Sequence, residues 1–231
     1  MARLARLAVA GHLHLVLQRG HGRAAVFIDA ADRRDYLAAL EQATREHGVA
    51  VHAYGLPPDE VRLLVTPAEA AALGQAMQAV NRRFVRAHHR RHGGRGTLWD
   101  GRFASTVIDP ARHGLACLRW IDGSAAMAEG AAGQDAWLSS APHHIGAARV
   151  GWLSEHPVYW QLGNTPFERE ARYREWLAQG LAAEDATHLR QAALGGWPLG
   201  TPAFAAALAS RHARPMAPRP RGRPRRQPAP A

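Results

Sequence analysis

Apolar and polar positions change their spacing several times along the first 125 residues, and each change predicts a new element. Residues 12–18 alternate closely enough for a half-buried β-strand. Between residue 32 and Gly48 apolar residues recur at helical spacing, and Gly48 provides a stop signal. Pro67 is expected to open a second, longer helix, whose core stripe is Leu73, Met77, Val80 and Phe84. The remaining predicted elements are strands at 49–54, 61–66 and 103–108, and a short helix from 110 to about 121.

The predicted order is strand, helix, strand, strand, helix, strand. This order is typical of the split βαβ, ferredoxin-like arrangement. We therefore predict an α+β fold with an antiparallel sheet and two helices on one face. Such a sheet would leave its other face free for a ligand or a partner.

The pattern weakens beyond residue 123, where the chain becomes rich in small residues and then in Trp and His. Helical spacing returns at about 166–180, 183–194 and 201–210. From Pro215 the chain is mostly Pro, Arg and Ala without apolar periodicity, which predicts disorder. The predicted divisions are a core at 1–125, a Trp/His-rich connection at 126–165, a helical region at 166–210 and a basic tail at 211–231.

Composition excludes several classes of protein. Hydrophobic residues make up 47% of the 231 residues, a normal globular value. No apolar run is long enough for a membrane span, and His12, His14 and Arg19 interrupt a start that superficially resembles a secretory signal. The single cysteine, Cys117, excludes an internal disulfide and a cysteine-based zinc cluster. We therefore expect a cytoplasmic protein without a membrane partner.

Charge is concentrated in two zones. The formal net charge is +10, all 29 basic residues are arginine, and the isoelectric point is about 11.2. Residues 81–102 hold seven arginines and one aspartate, and residues 211–231 hold seven arginines and no acid. Focused positive charge usually meets phosphate, although the first zone could also be a solvated helix face. The candidate DNA-binding residues of that zone are Arg82, Arg83, Arg86, Arg90, Arg91, Arg95 and Arg102.

The tail contains Pro220-Arg221-Gly222-Arg223-Pro224, the core sequence of an AT-hook. Prolines keep such a segment extended, and glycine lets the backbone enter a narrow groove. Arg221 and Arg223 would then lie in the A·T minor groove, where the negative potential is enhanced. The alternative is a basic tail that binds any polyanion.

Several motifs together resemble the REP-associated tyrosine transposases, a bacterial group of single-strand HUH transposases. The matching segments are Gln18-Arg19-Gly20, Val51-His52-Ala53-Tyr54, Asn81-Arg82-Arg83-Phe84, Leu98-Trp99-Asp100-Gly101-Arg102-Phe103, Trp137-Leu138-Ser139-Ser140 and Gly196-Trp197-Pro198-Leu199-Gly200. The resemblance covers nearly the whole chain. It implies recognition of hairpin, single-stranded or repeat DNA in a nucleoid-associated protein.

The resemblance also implies a chemistry that this sequence does not preserve. In the family, a His-x-His pair and a helix residue hold a divalent cation that polarises a phosphate, and a tyrosine attacks to form a 5′-phosphotyrosine. Here Glu60 and Arg62 stand in place of the histidines, Trp120 in place of the tyrosine and Ser124 in place of a metal-binding Asn. We expect no intact catalytic residue, no metal ligand set and no cofactor. Mg²⁺ or Mn²⁺ would be needed only if residual nuclease activity exists.

The other histidines do not suggest a replacement site. His12 and His14 share a strand face but lack a matching carboxylate. His88, His89 and His92 lie within the basic zone, where we expect them to face solvent or phosphate.

The leading hypothesis is a transposase-family protein that binds hairpin or repeat DNA and has lost strand-transfer chemistry. Three alternatives stay open: an active transposase with rearranged metal ligands, a basic RNA-binding protein that uses the same sheet, and a remnant of a mobile element without function. The sequence also leaves open whether the chain forms a homodimer.

Overall fold

The computed structural model describes residues 6–126 and 138–218. Four strands form one antiparallel sheet in the order β2-β3-β1-β4. The strands are β1 (His14–Arg19), β2 (Val49–Gly55), β3 (Glu60–Pro67) and β4 (Ala104–Val107). Together with the helices between them, they confirm the predicted α+β, ferredoxin-like fold.

Helices α1 (Ala30–Glu46) and α2 (Ala72–His92) cover the first face of the sheet. Helix α1 begins with a capping box in which Asp29 and Asp32 each accept a hydrogen bond from the other's backbone N–H. The predicted stripe of α2 is confirmed, since its members are all buried: Leu73, Met77, Val80 and Phe84.

Pro67 does not open α2, contrary to our expectation. It ends β3, where it pairs with Val49 of β2, and the helix starts five residues later at Ala72. A proline is tolerated at the end of a strand because the ladder there does not need its missing N–H.

The second face of the sheet is also covered, so the expectation of a free face is wrong. A π-helical turn (Pro110–Gly114) leads into α3 (Leu115–Ala126), which packs on this face with α5 (Pro157–Trp160), α6 (Pro166–Ala178) and α7 (Ala183–Gly195). The physical reason lies in β1 and β3. The leucines that point to this second face need burial as much as the apolar side chains that point to the first face. They are Leu13, Leu15, Leu17 and Leu64.

Two further helices complete the described chain. Helix α4 (Ala141–His144) follows the serines that resemble the family's Trp-Ser-Ser stretch; Trp137 lies outside the described residues. Helix α8 (Pro202–Ala209) places Leu208 against Val107 of β4 in a small separate cluster.

A buried carboxylate ties α3, α4 and α6 together. Asp122 is fully buried and accepts hydrogen bonds from Ser140 Oγ at 2.6 Å, His144 Nδ1 at 2.7 Å and Tyr173 Oη at 2.7 Å. Burial raises the pKa of the Tyr173 phenol well above its ordinary value, and the nearby Asp122 adds to this shift. The phenol therefore stays a hydrogen-bond donor, and the network holds the three helices together.

In the described part of the chain, no helix combines the length and the apolar character that crossing a membrane requires.

His14 makes the stability of the fold depend on pH. Its Nδ1 donates to the carbonyl of His12 at 2.7 Å, and its Nε2 accepts the N–H of Val9 at 3.2 Å. Burial lowers the pKa of His14 to about 4, against an ordinary value of 6.5. The unfolded chain therefore binds the extra proton first as the pH falls.

We expect the free energy of unfolding to be fully retained above pH 6.5 and to fall by about 3 kcal/mol as the pH drops from 6.5 to 4 through this residue. Urea denaturation across that range should give a shallower pH slope for His14→Gln than for the wild type. His21→Gln, at an exposed position, should keep the wild-type slope. Equal slopes in the wild type and His14→Gln would contradict this assignment.

Candidate functional site

The position where the family resemblance would place a metal is a buried ion-pair cluster. Glu60 begins β3, opposite Arg19 of β1, and its side chain is only 1% exposed. Because side chains alternate along a strand, Glu60, Arg62 and Leu64 share the second face of the sheet. That face lies beneath α3 and α7.

Arg62 occupies the space next to Glu60. Its Nε donates to Glu60 Oε1 at 2.7 Å, and its Nη1 donates to the backbone carbonyl of Trp120 at 3.3 Å. Its Cζ also lies 4.4 Å from the centre of the Trp120 ring, within cation–π range. Burial lowers the pKa of the Arg62 guanidinium, while the Glu60 carboxylate opposes that shift. Glu60 and Arg62 thus form an ion pair, and the Trp120 ring lies over Arg62.

A glycine allows α3 to come this close. Gly55 of β2 pairs with Arg62, and a Cβ at Gly55 would lie 2.7 Å from the carbonyl oxygen of Ile121. Any larger residue would push α3 away from the sheet. The close approach therefore positions the neighbouring Trp120 above Arg62.

Two further arginines reach Glu60, and the sequence analysis missed both. Arg190 of α7 forms a bidentate pair, with Nη1 at 2.6 Å from Oε2 and Nη2 at 2.9 Å from Oε1. Arg23 lies 3.6 Å from Glu60 Oε2 and 3.0 Å from the carboxylate of Asp59. No spacing signal could reveal Arg190, because it lies 130 residues along the chain from Glu60. We refer to Glu60, Arg23, Arg62 and Arg190 as the Glu60 cluster.

The residues present do not fit the divalent cation that the family resemblance implies here. Both oxygens of Glu60 already accept from guanidinium groups, and an arginine has no lone pair to give to a metal. A cation at Glu60 would also lie against the positive charges of Arg62 and Arg190. Trp120 offers no nucleophilic oxygen. The side chain of Ser124, near the end of α3, lies outside the described residues.

The arginines of the first basic zone fall into two groups. Arg82, Arg86 and Arg90 are four residues apart, so they form a stripe along one face of α2, and all three are exposed. We call these three residues the α2 stripe. Arg95 and Arg102 are exposed beyond the helix. Among the described residues, no carboxylate lies within ion-pairing distance of these five arginines.

The other two arginines of that zone are engaged by acids of α1 and its cap. Arg83 Nη2 lies 2.8 Å from Glu46 Oε2. Arg91 reaches both Asp32 Oδ1, at 2.9 Å, and Asp35 Oδ2, at 2.8 Å. Although residues 81–102 contain only one acid, acids of α1 thus pair with two of the arginines of this zone. The tail arginines Arg221 and Arg223 lie outside the described residues.

His88 is not directed to solvent or phosphate, which corrects the expectation for that residue. It is 7% exposed and packs between the ring of Phe84, at 5.8 Å, and the ring of His92, at 4.6 Å. Burial lowers the pKa of His88, so its neutral form is favoured. His92 instead bonds to Asp32, and His89 Nε2 lies 3.1 Å from the carbonyl oxygen of Gly96.

Known proteins provide a structural comparison. No protein-family model and no curated protein matches the sequence. The solved structure of a REP-associated tyrosine transposase bound to a REP hairpin is similar, with a TM-score of 0.52 and 13% identity over 68% of this chain and 93% of that chain. A structure named as a candidate transposase from Deinococcus radiodurans is 20% identical over 54% of this chain and 98% of that chain, but its TM-score of 0.36 is too low to bear on the fold. At 13% identity the likeness concerns the fold alone: the chain has the fold of a REP-associated tyrosine transposase.

Proposed function

We propose that this protein is a transposase-family protein that binds hairpin or repeat DNA without cutting it. The observation that carries the proposal is the Glu60 cluster, in which guanidinium groups occupy the position where the resemblance places a metal. The similar solved structure is a transposase bound to a REP hairpin, which supports structured DNA as the partner. A DNA partner would also place the protein at the nucleoid.

The chemistry of the Glu60 cluster favours binding over cleavage. Phosphodiester cleavage by a tyrosine needs a nucleophilic oxygen and a group that stabilises the developing charge. The indole of Trp120 lacks such an oxygen, and Arg62 and Arg190 are held by Glu60 rather than directed at a substrate. We therefore infer that strand transfer is lost.

The α2 stripe offers the surface for DNA. Its three arginines span about 12 Å along the helix axis, since each residue rises about 1.5 Å. Phosphates of one strand succeed each other by about 3.4 Å along a duplex, so the stripe can reach several of them. Because these arginines have no carboxylate partner among the described residues, they need not break an ion pair to bind a phosphate.

The RNA-binding alternative requires an open face of the sheet, and the structure does not provide one in its described part. Single-strand RNA modules with this kind of sheet stack bases on exposed aromatic residues of an open face. Here helices cover both faces of the sheet in the described part of the chain. No observation favours this alternative over DNA binding.

We expect the purified protein to leave hairpin DNA uncut in the presence of Mg²⁺ or Mn²⁺. A denaturing gel should contain neither a nicked strand nor a covalent protein–DNA adduct, because no tyrosine or metal ligand set is available at the Glu60 cluster. Nicking by the wild type that disappears in Glu60→Gln would contradict the proposal and favour rearranged ligands.

We expect simultaneous Arg82→Gln, Arg86→Gln and Arg90→Gln substitutions to weaken binding to a DNA hairpin. The slope of log affinity against log salt should become shallower by roughly 0.7 to 0.9 for each phosphate that the variant no longer neutralises. Fluorescence anisotropy at several salt concentrations measures both quantities, with linear single-stranded and duplex DNA as comparison ligands.

The matched control removes the same charge elsewhere. Arg45, Arg112 and Arg149 are also exposed, and their replacement by Gln should leave the salt slope close to that of the wild type. An equal change of slope in both triple variants would mean that binding depends on net charge rather than on the α2 stripe.

The AT-hook interpretation of the tail is tested in the same way. Arg221→Ala with Arg223→Ala should reduce affinity for duplexes with A·T-rich flanks more than for those with G·C-rich flanks, because the guanine amino group obstructs the minor groove. Arg225→Ala with Arg226→Ala removes the same charge outside the motif and should lower both affinities equally. If the first pair also acts equally on both flanks, the tail is a nonspecific polycation.

A further inference from the structure

Helices α1 and α2 bring together one carboxylate and two imidazoles, on the opposite face of the sheet from the Glu60 cluster. They belong to Asp32, in the first turn of α1, and to His88 and His92, near the end of α2. One oxygen or nitrogen atom from each of the three side chains lies within 4.8 Å of the others. It is the one such group of potential metal ligands in residues 6–126 and 138–218. The sequence analysis did not associate these residues, because Asp32 lies 60 residues from His92.

The helix spacing suits a metal. His88 and His92 are separated by four residues, so their rings lie on the same face of α2, one turn apart. This i, i+4 spacing is the one that lets two histidines of a helix bind one Zn²⁺. The ring centres are 4.6 Å apart.

His88 provides the second observation that points to a ligand. Its side chain is more than nine-tenths buried, and neither ring nitrogen has a hydrogen-bonding partner among the described residues. Buried ring nitrogens without a partner cost free energy. A metal ion that accepts a lone pair from one nitrogen of His88 would remove that cost for this nitrogen.

Asp32 is already oriented for the role. Its Oδ2 accepts the backbone N–H of Ile28 at 2.9 Å, which fixes the carboxylate while Oδ1 points to His92 Nε2 at 2.9 Å. Hydrogen bonds of this kind behind a ligand hold it in place for a metal. Arg91 also donates to Oδ1, but it keeps its bond to Asp35 if a cation displaces it. Carboxylates here outnumber the arginine, since Arg91 is shared among Asp29, Asp32 and Asp35.

We propose that Asp32, His88 and His92 form a binding site for a zinc-type divalent metal ion, with a fourth position open to water. Imidazole and carboxylate ligands suit Zn²⁺ in tetrahedral geometry, with bonds of about 2.0–2.2 Å. Ligand atoms around such an ion are about 3.3 Å apart. Small side-chain rotations would bring the ligand atoms of Asp32, His88 and His92 from within 4.8 Å of one another to this separation. The ion joins the start of α1 to the end of α2, beside the α2 stripe. This proposal is independent of the proposed DNA binding.

The test uses the full-length protein without an affinity tag, stripped of metal with a chelator and then dialysed. Calorimetric titration with Zn²⁺ should give one equivalent of binding, and Co²⁺ should give the intense visible absorption of a four-coordinate site. Mg²⁺ should not bind at matched concentration, because it prefers six oxygen ligands. The melting temperature should rise with Zn²⁺, since the ion binds the folded state.

Three variants decide whether this site is responsible. His88→Leu fills the buried space without a lone pair, and His92→Ala changes a half-buried position. Each should reduce Zn²⁺ affinity by roughly 100-fold and abolish the Co²⁺ bands. His89→Ala, on the same helix with its ring bonded to Gly96, should bind as the wild type does.

Circular dichroism of the metal-free variants verifies that they fold. If His88→Leu fails to fold, His92→Ala alone decides whether the proposed site binds the metal. Absence of stoichiometric Zn²⁺ binding in the wild type would overturn the proposal. Unchanged binding in a folded His92→Ala would also overturn it, since the ion would then lie on other histidines.

Discussion

The fold depends on a sheet that is apolar on both faces. Val16, Leu63 and Val65 point to α1 and α2, whereas Leu15, Leu17 and Leu64 point to the opposite side. A sheet of this kind cannot leave either face in water, because each leucine left exposed forgoes roughly 1.5–3 kcal/mol of burial. The helices after residue 114 therefore form a second hydrophobic core on the opposite face, and they supply the second layer that the sheet requires. Every charged group on that second face must then be neutralised within the protein.

Glu60 is the clearest case of this requirement. A buried carboxylate is costly unless it is paired and hydrogen-bonded, and three arginines from separate parts of the chain meet that need. The ion pair with Arg190 also fixes where α7 lies. Neutralisation of the Glu60 carboxylate on β3 and the packing of α7 on the sheet therefore stabilise each other. At the α1–α2 contact the balance is the reverse, since three carboxylates share Arg91. The protein therefore has an excess of arginines around the buried Glu60 and an excess of carboxylates around the partly exposed Arg91.

Local patterns were sufficient to predict the four strands, helices α1 to α3 and α6 to α8, and part of the candidate site, but not the short helices α4 and α5. Helical spacing identified the buried stripe of α2, and strand alternation placed Glu60 and Arg62 on one face. The alternating leucines of residues 13–17 also carried a signal of two-sided burial that an open-faced sheet does not explain. Other features had no local signal. Arg190 and the acids that engage Arg83 and Arg91 meet their partners only after helices pack, and the burial of His88 depends on how α2 packs against α1.

The Glu60 cluster also restricts how this sequence can change over generations. Replacing Arg62 by a histidine would remove one guanidinium from a buried carboxylate, and replacing Glu60 would leave Arg62 and Arg190 facing each other without a counter-charge. Breaking a buried ion pair from one side typically costs about 3–5 kcal/mol, a large part of the stability of a single domain. A path to a His-x-His pair at these positions therefore passes through poorly folded intermediates unless positions 60, 62 and 190 change together. Epistasis of this kind makes the present arrangement hard to change by single mutations, whatever selection acts on the chain.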